Sequence, residues 1–286
     1  MRATTRLRQL IASGRTSLAP GVFDGLSARL VEMAGFELMY ASGGAVARSA
    51  GVPDLGLLDV GEIVSRLQQI VDAVDIPVIA DADTGYGNAL NARRAARSFE
   101  RAGVAGLHME DQVFPKRCGH YENKALVSSE EFEQKLRAVR DALRDPDFVV
   151  IARTDAIAIE GFDAALKRAS RYAEAGADVV FIEAPTSVEQ VEEIASRIAQ
   201  PKLINMFHGG KTPMMPLRRL EELGYAIVLS PNDVQRAAIG AMQRTLEVLR
   251  RDGSSASLES EMIGWQEREA VVRTSQFLEL DRRYGI

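Results

Sequence analysis

Eight short apolar runs alternate with longer amphipathic stretches along the 286 residues, and several of those stretches end in glycine just before the next run. No Gly-rich phosphate loop follows the first run. Together these observations predict an α/β protein. It would be a closed (β/α)8 barrel of the TIM type, formed as one domain over residues 1–286, rather than an open doubly wound sheet.

In chain order, residues 1–22 carry Arg2, Arg6, Arg8 and Arg15 and no acid, a composition shared with organelle transit peptides. Leu7, Leu10 and Ile11 at helical spacing, closed by Gly14, predict instead an amphipathic first helix. The apolar runs at 17–22, 37–41, 77–83, 106–111, 148–155, 179–184, 202–207 and 226–230 are read as strands. Between and after them, 59–74, 89–102, 129–143, 162–175, 187–198, 216–223 and 233–251 are read as helices. Ala34-Gly35, Ala102-Gly103, Ala175-Gly176 and Leu223-Gly224 each place a glycine where a helix turns into the next strand. After a soft loop at 252–255, residues 258–280 form one more helical stretch holding Trp265, Val271, Val272, Phe277 and Leu278. This extension, 254–286, follows the eighth unit, so its apolar stripe is expected to dock on a neighbouring subunit.

The chain has 35 basic and 40 acidic side chains, hence a formal charge of −5, which gives no electrostatic footprint for nucleic acid or anionic lipid. The single cysteine, Cys118, excludes an intrachain disulfide and a cysteine-based zinc site. No apolar stretch approaches the length of a membrane span. A cytoplasmic enzyme acting on a small molecule is expected.

In such barrels the chemistry sits at the C-terminal ends of the strands. Those ends are polar here: Tyr40-Ala41-Ser42-Gly43-Gly44, Asp81-Ala82-Asp83, His108-Met109-Glu110-Asp111, Arg153-Thr154-Asp155, Glu183, Asn205 and Ser230. Side chains two apart share a strand face, so Asp81 and Asp83 point together, as do His108 and Glu110. Carboxylates crowded into one mouth repel unless a cation sits among them, and oxygen-only ligands select Mg2+ or Mn2+. The alternative placement for these acids is at helix caps or in pairs with Arg93, Arg94 or Arg153. Cys118 lies in Lys116-Arg117-Cys118-Gly119-His120, a cationic setting that favours thiolate and suits acid–base work, whereas a lone cysteine is otherwise a small buried hydrophobe.

Ser42-Gly43-Gly44, Pro53-Asp54-Leu55-Gly56, the run from Asp81 to Gly87, Glu110-Asp111-Gln112, Lys116-Arg117-Cys118-Gly119-His120 and Ala152-Arg153-Thr154-Asp155-Ala156 resemble the isocitrate lyase/phosphoenolpyruvate mutase superfamily over residues 12–251. The Lys-Arg-Cys-Gly-His run resembles its carbon–carbon lyases. That resemblance implies a barrel whose last helix is swapped between subunits, a homotetramer, and one Mg2+ near Asp54, Asp81, Asp83 and Glu110. It also implies cleavage of a 2-hydroxy di- or tricarboxylate to an α-keto acid and a carboxylate, by retro-aldol or retro-Claisen chemistry. Ser42, Gly43, Gly44 and Arg153 would hold the keto-acid half with Tyr40 beside it, and Cys118 would protonate the enolate. Lys116, His120, Glu183 and Asn205 match positions that bind the other carboxylate or support the cysteine.

Within the superfamily, the chain resembles the short 2-methylisocitrate lyase and 2,3-dimethylmalate lyase branch. Residues 205–213 are more similar to the 2,3-dimethylmalate lyase and oxaloacetate hydrolase group, with His208 where those relatives usually have Glu. His208 is therefore expected among the substrate-binding residues, altering which C3 substituent is accepted. The competing functions are oxaloacetate decarboxylation or hydrolysis, cleavage of a P–C bond in phosphonopyruvate, and non-catalytic keto-acid binding.

Overall fold

In the computed structural model the described residues are 1–117 and 123–285. Cys118 and His120 lie outside them. Eight parallel strands close into a barrel: β1 (Ser17–Val22), β2 (Met39–Ala41), β3 (Val78–Asp81), β4 (Gly106–Glu110), β5 (Val149–Thr154), β6 (Val179–Ile182), β7 (Lys202–Asn205) and β8 (Tyr225–Ser230), with β8 pairing back onto β1. Helices lie between successive strands, so the (β/α)8 architecture stands.

The barrel interior follows from the two-residue alternation of extended chain. Val149 and Ile151, Val179 and Phe181, and Ile227 and Leu229 share one buried cluster with Tyr40, Ile79 and Leu203. Continuing each inward face by two residues past this apolar layer reaches Ser42, Asp81, Arg153, Glu183 and Asn205. Apolar floor and polar mouth are thus successive turns of one pattern. The first helix, Ala3–Ala12, closes the floor. Its Leu7 is fully buried in that cluster with Leu10 and Ile11 against it. Arg8 ties the helix to the carbonyl of Asp147 and the carboxylate of Asp178.

Three local features differ from the sequence expectation. Ser42-Gly43-Gly44 does not continue the second strand: Ser42 caps a short helix, Gly43–Ser49. Strand β3 stops at Asp81, and Asp83 turns out of the strand with φ of 46°. The expected helix at 258–280 is broken into a 3-10 turn at Ala256–Glu261 and helices Trp265–Val271 and Thr274–Tyr284, with Arg273 at φ of 57° between the two helices. Trp265, Phe277 and Leu278 on this extension are exposed in the single chain. No helix among the described residues is long and apolar enough to cross a membrane.

Gly21 on β1 shows how closely the mouth is drawn together, since a Cβ there would stand 2.0 Å from the carbonyl oxygen of Pro231, just beyond β8. Backbone cannot yield as a flexible side chain would, so Gly21→Ala should destabilise the barrel by about 2 kcal/mol or more. Urea denaturation measures this, and a midpoint equal to that of the parent chain would contradict it.

Candidate active site

A cavity opens at the C-terminal ends of the strands, lined by Tyr40, Asp54, Asp81, Lys116, Arg153 and Glu183 at its base and by Arg48, Phe207, Pro231 and Asn232 further out, with Ser42, Gly44 and Asn205 on its wall. Strand register sets the base: Asp81 lies beside His108, and Glu110 beside Arg153. The glycines after Ser42 are required by close approach. A Cβ on Gly43 would stand 2.5 Å from Asp81 Oδ2, and one on Gly44 would stand 2.8 Å from Asp54 Oδ2.

Two cations hold the acids apart. Lys116 Nζ, nearly buried, lies 2.6 Å from Asp54 Oδ1 and 3.0 Å from Asp83 Oδ1. Arg153 donates from Nε and Nη2 to the two oxygens of Asp155 at 2.9 and 3.2 Å. The same guanidinium lies 3.3 Å from Glu110, 3.4 Å from Glu183, and 5.1 Å from the centre of the Phe181 ring. Lys124 Nζ makes a second pair with Asp155 at 2.8 Å. The turn at Asp83 lets its N–H donate to Asp81 Oδ1 at 3.0 Å, so these two acids meet through a turn rather than along one strand face.

The charges respond to this crowding. Burial raises Asp83 to about 6, reinforced by Asp81 and Asp54 and opposed by Lys116. Burial also pushes Glu110 up, against the pull of Arg153. Asp81 remains ionised, at about 2: burial works against it, but the fields of a protonated His108, Lys116 and Arg153 and the Asp83 N–H prevail. Lys116 is raised because four carboxylates outweigh its burial.

A third group joins the base of the cavity to the barrel interior. The Tyr40 hydroxyl lies 2.7 Å from His108 Nε2 and 3.1 Å from Asp81 Oδ2. His108 Nδ1 is buried with no hydrogen-bond partner. A bare lone pair is a smaller loss there than an N–H without an acceptor, so the proton belongs on Nε2. His108 then donates to Tyr40, which donates to Asp81. Burial and Asp81 raise the Tyr40 phenol, keeping it a donor.

Six buried or nearly buried carboxylates (Asp54, Asp81, Asp83, Glu110, Asp155 and Glu183) thus meet three cations, and neither carboxylate oxygen of Glu110 has a hydrogen bond. This all-oxygen surplus suits a hard divalent ion such as Mg2+. Among the described residues no three acid, imidazole or thiol groups are close enough to hold an ion by direct bonds alone. The set fits Mg2+ as that ion is commonly held, with few protein ligands and several waters.

Behind the site, Asp111 accepts from Thr154 Oγ1, the Asp155 N–H, the Tyr172 hydroxyl and Arg168 at 2.7–3.2 Å, fastening the end of β5 to the end of β4. Sequence reasoning missed this hub, and also Lys124, Arg48, Phe207 and Asn232. His208, expected among the substrate contacts, is exposed and does not line the cavity. Its carbonyl accepts from Arg236, and Phe207 occupies the wall.

The family model of phosphoenolpyruvate phosphomutase matches residues 7–250. The chain is 39% identical over its whole length to 2,3-dimethylmalate lyase of Eubacterium barkeri, covering 99% of that protein. It is 43% identical over 252 residues, 88% of this chain and 81% of the relative, to 2-methylisocitrate lyase of Aeropyrum pernix. Among solved structures, phosphonopyruvate hydrolase in complex with oxalate and Mg2+ superposes with a TM-score of 0.91 at 31% identity, over 99% of each chain.

The buried imidazole gives a direct check on this geometry. Burial lowers His108 to about 4, helped by Arg153 and Lys116 and opposed by Asp81. An unfolded histidine takes up its proton near 6.5. The contribution of His108 to stability is therefore complete above that value and declines as pH falls towards about 4. Imidazole NMR should show His108 neutral, with the proton on Nε2, down to about pH 5. A midpoint above 6 would contradict the arrangement.

Proposed function

The chain belongs to the phosphoenolpyruvate phosphomutase family, and from that premise we propose that it is a Mg2+-dependent carbon–carbon lyase. Its substrate would be a 2-hydroxy di- or tricarboxylate of the 2-methylisocitrate or 2-alkylmalate type, cleaved to an α-keto acid and a carboxylate. One observation carries this reading: Asp54 and Asp81 line one cavity with a buried arginine and lysine, and Asp83 and Glu110 stand against those two cations at 3.0 and 3.3 Å, which makes an oxygen-only donor set. That pairing suits a 2-hydroxy acid, which offers a hard ion two oxygens and an arginine a carboxylate. The two lyases named above are similar to this chain over most of its length.

Mg2+ would polarise the 2-oxygen as the carbonyl forms. Arg153 would bind the keto-acid carboxylate, held in place by Asp155 and stacked on Phe181, while Ser42, Gly43 and Gly44 give the wall against which that half lies. Tyr40, kept protonated, would turn its one O–H from Asp81 to the 2-oxygen. On cleavage the 2-hydroxyl proton would pass to the carboxylate cluster around it, in which Asp81 is ionised, the C2–C3 bonding pair would move to C3 as a carboxylate enolate, and C3 would take a proton. Cys118 is the proposed donor to C3, with His120 supporting it. Lys116 and Asn205 would meet the leaving carboxylate, with Glu183 in a supporting role beside Arg153. Lys116, two residues before Cys118 in the sequence, is anchored on Asp54 and Asp83.

The assembly proposed is a homotetramer with the 254–286 extension exchanged between subunits. It is supported by the exposed apolar side chains of Met242, Leu246, Trp265, Phe277 and Leu278 along the C-terminal helices. A cytoplasmic setting accords with one cysteine in the chain.

Keto-acid release from 2-methylisocitrate, 2,3-dimethylmalate, oxaloacetate and phosphonopyruvate tests the reading. Pyruvate should appear from one of the first two, stop on chelation by EDTA and return with Mg2+. Cys118→Ser should slow that release about 100-fold or more. Turnover of oxaloacetate or phosphonopyruvate alone, or full activity in the cysteine variant, would contradict it.

A further inference from the structure

Three cations line the cavity among the described residues, and two of them are already engaged, with neighbouring acids and, in the lyase reading, with the two carboxylates that both candidate substrates share. Lys116 is bracketed by Asp54 and Asp83, and Arg153 by Asp155, Glu110 and Glu183. Arg48 has no carboxylate partner among the described residues. Its hydrogen bond is a long one, 3.4 Å from Nη1 to the amide oxygen of Asn232. It stands one helical turn beyond Gly44 on the helix Gly43–Ser49, and a Cβ on Gly44 would lie 3.0 Å from Arg48 Nη1. The missing side chain at Gly44 is what lets the guanidinium lie over the wall segment Ser42-Gly43-Gly44.

An arginine in this position has a chemical consequence for the lyase reading, on which the following rests. The two candidate substrates differ at C3. A 2,3-dialkylmalate carries only a methyl group there, and its leaving half is a monocarboxylate. A 2-methylisocitrate carries a carboxymethyl group, and its leaving half is a dicarboxylate. The additional negative charge enters a mouth that already holds a surplus of carboxylates, so it needs a cation not spent on them. We propose that Arg48 is a specificity-determining residue that receives the terminal carboxylate of a carboxymethyl substituent at C3, so that the preferred substrate is a tricarboxylate. Asn232 accepts from the guanidinium at the cavity wall, which Phe207 and Pro231 also line, and the arginine itself is exposed at the outer end. A planar guanidinium fork meets a carboxylate with two parallel donors, which an ammonium does not. His208, exposed and outside the lining, does not supply this charge.

The test compares the parent chain with Arg48→Met and Arg48→Lys. The ratio of kcat/KM for 2-methylisocitrate over that for 2,3-dimethylmalate should fall about tenfold or more in Arg48→Met, with Arg48→Lys in between. Oxalate affinity on the same samples reports whether the keto-acid end is intact. A ratio within about twofold of the parent value in Arg48→Met would overturn the assignment. Calorimetric binding of 2-methylisocitrate separates this outcome from failure of the lyase reading. If the parent chain cleaves neither compound, the lyase reading fails. In that case weaker 2-methylisocitrate binding by Arg48→Met would still support Arg48 as its carboxylate site, and unchanged binding would overturn it.

Discussion

Carboxylates buried side by side are the constraint around which this barrel is arranged. Two like charges 4 Å apart repel by about 4 kcal/mol at an effective dielectric near 20, and each has also lost its hydration. Asp54, Asp81, Asp83, Glu110, Asp155 and Glu183 occupy one mouth, and Lys116, Arg153 and Lys124 offset only part of their charge. The remainder shows in Asp83 and Glu110, both raised towards the neutral form, and in the unbonded oxygens of Glu110. A site left in this condition by its own side chains is one that a divalent ion and an anionic ligand with chelating oxygens would complete together, as proposed above. The same low dielectric that makes the cluster costly makes its interactions with such a ligand strong.

Barrel geometry makes the cluster possible. Each strand ends its inward face at the mouth, so neighbours in register bring Asp81 against His108 and Glu110 against Arg153 without any long loop having to place them. Rigidity comes from behind: Asp111 gathers four donors from β5, the residue after it and the following helix, which holds Asp155 and through it Arg153. The outer wall is built differently, from a short helix and from residues beyond β7 and β8, including Arg48, Phe207 and Asn232. In the proposed lyase reaction, base and wall would face its invariant and variable ends, the keto-acid half and the substituent at C3.

Much of this was legible in the sequence, because the signals that carry it are periodic. Alternation along each run places Tyr40, Asp81, Glu110, Arg153, Glu183 and Asn205 on inward faces, and glycines at 103, 176 and 224 take the positive φ that ends a helix. The same alternation, carried one step further, favours Phe207 over His208, since 205 and 207 share a face and 208 does not. Arg48 was hidden because Ser42-Gly43-Gly44 reads as the end of a strand. Only once those residues form a helical turn does position 48 fall over position 44. Asp83 was misjudged for a related reason, as a turn with positive φ at an aspartate leaves no mark on a strand pattern. Asp111 is invisible to pattern reading, because its partners Arg168 and Tyr172 lie about 60 residues away on another helix. The break at Arg273 follows no glycine or proline and so carried no sequence signal.

The most direct measurement is calorimetric titration of the intact chain with Mg2+, with and without oxalate, for the parent and for Asp81→Asn and Glu110→Gln. A surplus of buried carboxylate beside Arg153 requires one ion per chain, bound more tightly when oxalate is present, with affinity reduced about tenfold or more in both folded variants. Absence of binding by the parent chain at millimolar Mg2+, or equal affinity in parent and variants, would contradict the account.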